Sequence, residues 1–292
     1  MFQVKAYCLF SFFYFLLFSS LSYSQTEQTF YDKERKIKKE IFHTKKSIDK
    51  KTIKDGQYQI YYENGKLWQE GNYREGRLYG EWKVYHNNGQ LKQTANYLNN
   101  LRAGSTKIYY DDGILYQELQ YVNDKLDGKI ILYYPSAEKQ LQEISEYKND
   151  TLNGESIGYA DNGTIVFKKH YLHGKKNGVC EEFYDNGQRK EKSNYVNDLF
   201  EGDFISYYKD SLNSKQTICN YKYGKLNGIF TGYYKNGSVQ VTGNYVNDSL
   251  QGDYTQFHPS KNPAEKGITL EKGNYLNNLR TGFWTSWHSN SA

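Results

Sequence analysis

Six histidines, three cysteines and a recurring Asn-Asp pair are the residues of this chain best suited to chemistry. His170 and His173 form an H-x-x-H. A helical zinc site needs i, i+4 spacing, and in a strand running into a turn these two rings point in different directions. The other histidines (His43, His86, His258 and His288) lie far apart in the chain, whereas catalysis or metal binding needs groups that converge within a few ångströms. Asn123-Asp124, Asn149-Asp150, Asn197-Asp198 and Asn247-Asp248 carry the hard oxygens that calcium prefers. Their spacing supplies one acid before a leucine-like residue and a glycine, without the alternate donors and terminal glutamate of an EF-hand loop, so turn formation explains them better. Cys180 and Cys219 fall on strand positions three strands apart, about 14 Å, too far for a disulfide. No G-x-S-x-G elbow, Walker loop or Cys–His arrangement occurs. The expectation is a non-enzymatic chain with no catalytic residue, no metal and no cofactor.

The first 24 residues read as a secretory signal peptide. Lys5 precedes an apolar run over residues 6–18, and Ser22 and Ser24 bracket Tyr23 as small residues at a cleavage site. Cleavage near Ser24 would deliver an exported chain, periplasmic, envelope-bound or secreted. The net charge of +5 is unevenly placed, because residues 33–54 hold ten basic side chains against three acids. Residues 25–55 are accordingly a basic segment or a degenerate capping half-repeat, with Phe42 as a worn equivalent of a repeat tyrosine. The segment is either a handle for an anionic membrane or glycan or a solvated linker. The remainder is near neutral, which argues against a nucleic-acid surface.

What must position any functional residue is a repeat covering residues 56–292. About ten copies of a unit near 24 residues open on Tyr61, Tyr85, Tyr109, Tyr133, Tyr159, Phe183, Tyr207, Tyr233, Phe257 and Trp287. A second register places Tyr73, Tyr97, Tyr121, Tyr147, Tyr171, Tyr195, Tyr221, Tyr245 and Tyr275 seven residues before a glycine. Those glycines include Gly80, Gly104, Gly202, Gly252 and Gly282. Asn-Gly dipeptides such as Asn64-Gly65 and Asn88-Gly89 sit between aromatic and β-branched runs, and a second turn follows each tyrosine. Two turns per unit predict two strands per unit. The fold class is all-β, an elongated single-layer antiparallel meander of tandem hairpins, with tyrosine rings stacking between repeats and hydroxyls left at the wet edge. Trp82 marks a further position, occupied by Thr106, Ser156 and Cys180 in other copies.

The arrangement NG-x-x-x-x-x-G-x-Y-x-x-G-x-x-x-G-x-W-x-x-Y over residues 64–85 resembles the MORN repeat variant found in bacterial proteins of the YwqK type. The resemblance spans roughly residues 56–292. It implies a single-layer sheet of consecutive hairpins, no cofactor, and contact with proteins or lipids. The YwqK type further implies the antitoxin component of a toxin–antitoxin pair.

The function expected is a repeat scaffold for protein–protein interaction, with a membrane-surface or carbohydrate-binding envelope protein as the alternative. Insertions in a solenoid usually map to one edge. Three irregular tips, marked by Pro135 and Glu138, by Asp210 and Asn213, and by Pro259 and Lys261, are therefore the candidate partner contacts.

Overall fold

The computed structural model describes residues 24–287 except 211 and 263–265. The signal-peptide reading, Pro263 and His288 fall outside the described residues. Those that are described form 25 strands, from Gln25–Phe30 to Leu279–Ser286, in one antiparallel sheet laid out in the order of the sequence. Four two-residue strands (Lys125–Leu126, Lys175–Lys176, Leu199–Phe200 and Lys225–Leu226) continue after one residue into the strand that follows. Counting each such pair once turns the 25 strands into 21 rungs, a ribbon about 100 Å long at the usual strand spacing.

Two kinds of turn alternate, so the ribbon has two chemically distinct edges. At the Asn-Gly edge the amide of Tyr62 donates to the carbonyl of Lys66 and that of Gly65 to the carbonyl of Tyr62, with Gly65 alone left-handed (φ 81°). That is a three-residue loop closed by a glycine bulge. At the opposite edge Asn99 (φ 53°) and Asn100 (φ 72°) are both left-handed, which is the two-residue type I′ hairpin turn. Asn123-Asp124, Asn149-Asp150, Asn197-Asp198 and Asn247-Asp248 occupy the same place with the same φ signs. The primed turn thus belongs to Asn-Asp and not to Asn-Gly. The three longer tips account for the 26- and 30-residue steps in the repeat, since they replace the short loop at 134–140, 208–214 and 258–268.

The glycine after each tyrosine is a bulge. Glu70 pairs with Lys83 and Asn72 with Tyr79, so Gly71 alone faces Gly80, Glu81 and Trp82. Gly80 takes φ 74°, and its equivalents Gly104, Gly202, Gly252 and Gly282 are likewise positive. An L side chain would be strained there, which fixes the glycine register. The bulge aims Trp82 across Gly71.

One face carries the buried row. Tyr58, Trp82, Ala95, Thr106, Leu119, Ile130, Ser145, Ser156, Cys180, Ser193 and Cys219 follow one another down the ribbon, all buried. Rings enclose its ends, where Trp82 meets Tyr58, Tyr73 and Tyr97 at 5.3–6.3 Å and Trp284 meets Tyr254 and Tyr275. Its middle is small and polar, with the hydroxyls of Ser145 and Ser156 3.0 Å apart and both bonded to Glu143.

The basic segment joins this sheet as the strands Lys38–Lys46 and Thr52–Tyr61. Phe42 pairs with Tyr58 and Thr44 with Lys54. Since Ala95 pairs with Thr106 and Tyr97 with Arg102, Phe42 stands at the small-residue position and Thr44 at the tyrosine position. The expectation for Phe42 is corrected on this point: a longer hairpin tip, closed between Ser47 and Lys51, shifts the spacing.

Candidate binding surface

The polar side chains that suggested chemistry are placed by the repeat. Tyr31, Tyr62, Tyr134, Tyr184, Tyr208 and Tyr234 each donate a 2.8 Å hydrogen bond to the carbonyl of the residue that opens the next repeat. His86 and His258 stand at the same position and reach the carbonyls of Tyr109 and Trp287 at 3.3 and 3.4 Å. The sequence expectation of hydroxyls left at the wet edge is corrected for these six tyrosines, because each has a main-chain carbonyl acceptor at the opening of the next repeat. The Asn-Asp pairs form a second ladder. Asp150, Asp198 and Asp248 donate their backbone amides to the carbonyls of Leu126, Lys176 and Leu226, and their side chains accept those residues' amides at 2.7 Å. Each aspartate therefore clips one turn to the preceding one as a further strand would.

Of the remaining histidines, His170 lies within the strand Ile165–Leu172 and His173 in a turn with φ 51°. Cys180 and Cys219 are buried free thiols on strands separated by two intervening rungs. Burial pushes both thiols up, Cys219 to about 11.

On the opposite face the opening tyrosines bond to acids of the adjoining strand. Tyr85 donates to Glu70 at 2.7 Å and Tyr133 to Glu118 at 3.0 Å, while Tyr61 turns to Gln59. Burial first, then the bonded carboxylate, raises the Tyr85 and Tyr133 phenols to about 12. Tyr195, in the other register, reaches about 12 mainly by burial.

The three irregular tips all lie on the Asn-Gly edge, as a meander requires. The structure does not bring them together: two hairpins lie between the tip of Pro135 and Glu138 and that of Asp210 and Asn213, a step of three repeats or roughly 29 Å at the usual strand spacing. The second tip is engaged internally. Asp210 accepts the amides of Leu212 and Ser214, which holds its carboxyl below the usual range, and Asn213 reaches the carbonyl of Arg189. Pro259 and Lys261 lie in the third tip, where Ser260 takes up the amide of Asn236.

Sequence reasoning did not single out the residues flanking the Asn-Asp turns. The ten pairs are Lys46 with Thr52, Arg74 with Arg77, Leu98 with Leu101, Val122 with Lys125, Lys148 with Thr151, Leu172 with Lys175, Val196 with Leu199, Lys222 with Lys225, Val246 with Ser249 and Leu276 with Leu279. Every member is exposed except the half-buried Ser249, and none is acidic. Only Lys148 among their cations forms an ion pair within the described residues, with Asp127 at 2.9 Å. Between the seventh and eighth of these turns lies an apolar hollow of about 290 Å³ lined by Val196, Asn197, Leu199, Glu201 and Tyr223. Tyr223 is 73% exposed and holds a left-handed turn position (φ 52°), with its amide tied to Glu201.

One sheet, a fixed repeat and two edges define a tandem hairpin scaffold. Five of its segments match the MORN repeat variant: residues 54–75, 78–99, 102–123, 176–197 and 226–247. The stretches between them hold the longer tips at 134–140 and 208–214 and the copy in which Ala160 replaces the laddering tyrosine. Comparison with curated proteins gives no match.

Among solved structures, TcdB2-TccC3 is 11% identical over 80% of this chain with a TM-score of 0.21, and this chain spans 15% of its length. The Photorhabdus luminescens Tc holotoxin pore is 12% identical over 81% of this chain, with a TM-score of 0.20 and 13% of its own length covered. A porin-like protein from Bacteroides uniformis is 7% identical, with a TM-score of 0.17, over 89% of this chain and 93% of its own. At these TM-scores the likenesses carry no argument.

Proposed function

We propose that the chain is an exported, non-catalytic scaffold that binds a protein partner along its length. The observation that carries this reading is the double ladder from turn to turn and from tyrosine to carbonyl, which holds successive repeats in a fixed register. A surface held in register over many units suits a partner that reads several of them at once. The YwqK-type resemblance extends the proposal to neutralisation of a toxin, for which one dominant partner and a saturable stoichiometry are expected.

A second reading is favoured by the cationic end of the ribbon, where Lys45 pairs with Asp55 and Glu75 and Lys51 with Asp49, while Lys36, Lys38, Lys39, Lys46 and Lys50 form no ion pair among the described residues. That end suits an anionic membrane surface or glycan, with adsorption that weakens as salt rises.

The test is capture from the organism's envelope and secreted fractions, with the chain from Gln25 onward as bait and a copy carrying glutamine at those five lysines beside it. One protein retained by both at a fixed ratio supports the scaffold. Retention of lipid or glycan by the unaltered bait alone overturns it in favour of the second reading.

A further inference from the structure

The Asn-Asp edge differs from every other surface of the ribbon. Of its twenty flanking positions nine are Leu or Val and eight are Lys or Arg. The eight cations outnumber the six acids of these turns (Asp49, Glu75, Asp124, Asp150, Asp198 and Asp248), and Asp150, Asp198 and Asp248 are engaged in the clip to the preceding turn and Asp124 with Arg102. The fold does not need this composition. A residue beside a type I′ turn is half in water, where a polar side chain costs nothing, as Thr52, Thr151 and Ser249 illustrate. The Asn-Gly edge carries acids at its tips, among them Glu63, Asp111, Asp112, Asp161 and Asp185.

We propose that the Asn-Asp edge is a docking ridge for an extended acidic polypeptide segment that carries an apolar side chain at about every third position. This rests on the protein-binding reading above and names its surface. The charge follows from the excess of cations over acids on this edge, where seven of the eight flanking cations form no ion pair among the described residues. The spacing follows from the repeat: two rungs advance roughly 9.6 Å, and a polyproline II chain advances about 9.3 Å in three residues, so one face of such a chain meets one turn after another. The hollow between Val196, Leu199 and Tyr223 is an apolar anchor point on this edge, with the exposed Tyr223 ring beside it.

A flat lipid surface shares the chemistry but not the shape. At a twist of roughly 20° per strand, an edge of 21 rungs winds through more than a full turn, so a plane touches only a few turns at once. A flexible chain can follow the winding.

The probe is a fluorescent peptide of repeated Glu-Glu-Leu units spanning about six turns, compared with Glu-Glu-Ser and Lys-Lys-Leu peptides and with vesicles of phosphatidylcholine and phosphatidylserine. The Glu-Glu-Leu peptide is expected to bind the chain from Gln25 onward, more weakly as salt rises, with the two control peptides bound far less. A variant with Leu199→Ser, Lys222→Glu and Lys225→Glu, all at exposed positions, should lose about tenfold or more in affinity, while Lys139→Glu with Lys235→Glu on the Asn-Gly edge should change little. Unaltered thermal unfolding of both variants shows that they remain folded. Equal binding by the ridge variant, or no binding of the peptide by the parent chain, overturns the ridge. Binding of vesicles alone assigns the edge to lipid instead. If the capture experiment still returns one protein partner after either result, the scaffold reading stands and only its surface is wrong.

Discussion

Gly71 shows how closely single residues are held in this sheet. A β-carbon there would lie well inside contact distance of the Trp82 indole, whose Nε1 donates to the Asn72 carbonyl at 3.2 Å. Gly71→Ala is expected to cost about 1–3 kcal/mol, the usual toll of overpacking. The next repeat, however, pairs Ala95 with Thr106 and buries both. In a Trp82→Thr background the same Gly71→Ala change should therefore cost little. Urea unfolding of the two single variants and the double gives the coupling, and equal costs in both backgrounds would refute the steric account. Tyrosine ionisation makes a second residue-level prediction. Tyr85, Tyr133 and Tyr195 titrate near 12 in the fold but near 10 when unfolded. Because the unfolded chain ionises first, their contribution is intact below pH 10 and is lost as pH rises from about 10 to about 12. Tyrosinate absorbance should lag behind pH and then rise together with loss of the β-sheet circular dichroism. A complete phenol titration near 10 with the sheet intact would show that these rings are not desolvated.

Among elements, the hairpin was the most legible, because two registers repeated over nine copies fix both strands and both turns per unit. What stayed illegible has physical causes. The sign of φ is not written in an Asn-Gly or Asn-Asp dipeptide, so which turn is primed emerges only from the backbone. Thr44 went unrecognised because the hairpin tip that follows it is longer than its counterparts. The second tyrosine of each Tyr-Tyr pair was visible, yet its acceptor is a main-chain carbonyl more than twenty residues away. The Asn-Asp edge was missed because its residues become neighbours only when successive turns stack. The clip at that edge is testable. Asp248→Ala removes the acceptor of the Leu226 amide and should destabilise the array by about 1 kcal/mol. Hydrogen exchange should speed up at Leu226 and leave Leu126, which is clipped to Asp150, unchanged. Protection at Leu226 that survives the substitution would mean that the side-chain half of the clip contributes nothing.

For the whole molecule, the meander makes a sharp distinction between removing a full repeat and removing half of one. Strands alternate in direction, and the bulged strand ending at Tyr61 is equivalent to the one ending at Tyr85. Deleting residues 61–84 joins Ile60 to Tyr85, which restores the same position in the repeat and returns every later turn to its own edge. Because each unit touches only its neighbours, this shortened chain should fold with the same circular dichroism per residue and a transition lowered by a few degrees at most. Small-angle scattering should show a maximum dimension shorter by about 10 Å. Deleting residues 61–72 instead joins Ile60 to Tyr73, placing a tyrosine-register residue where an opening aromatic belongs. Downstream strands would then meet the upstream array running the wrong way, with Trp82 no longer opposite Gly71. That chain should fail to form one continuous sheet and should aggregate through the broken edge. Equal tolerance of the two deletions would mean that the repeats do not depend on register with their neighbours, and the ladder from turn to turn would lose its role as the element that holds the ribbon together.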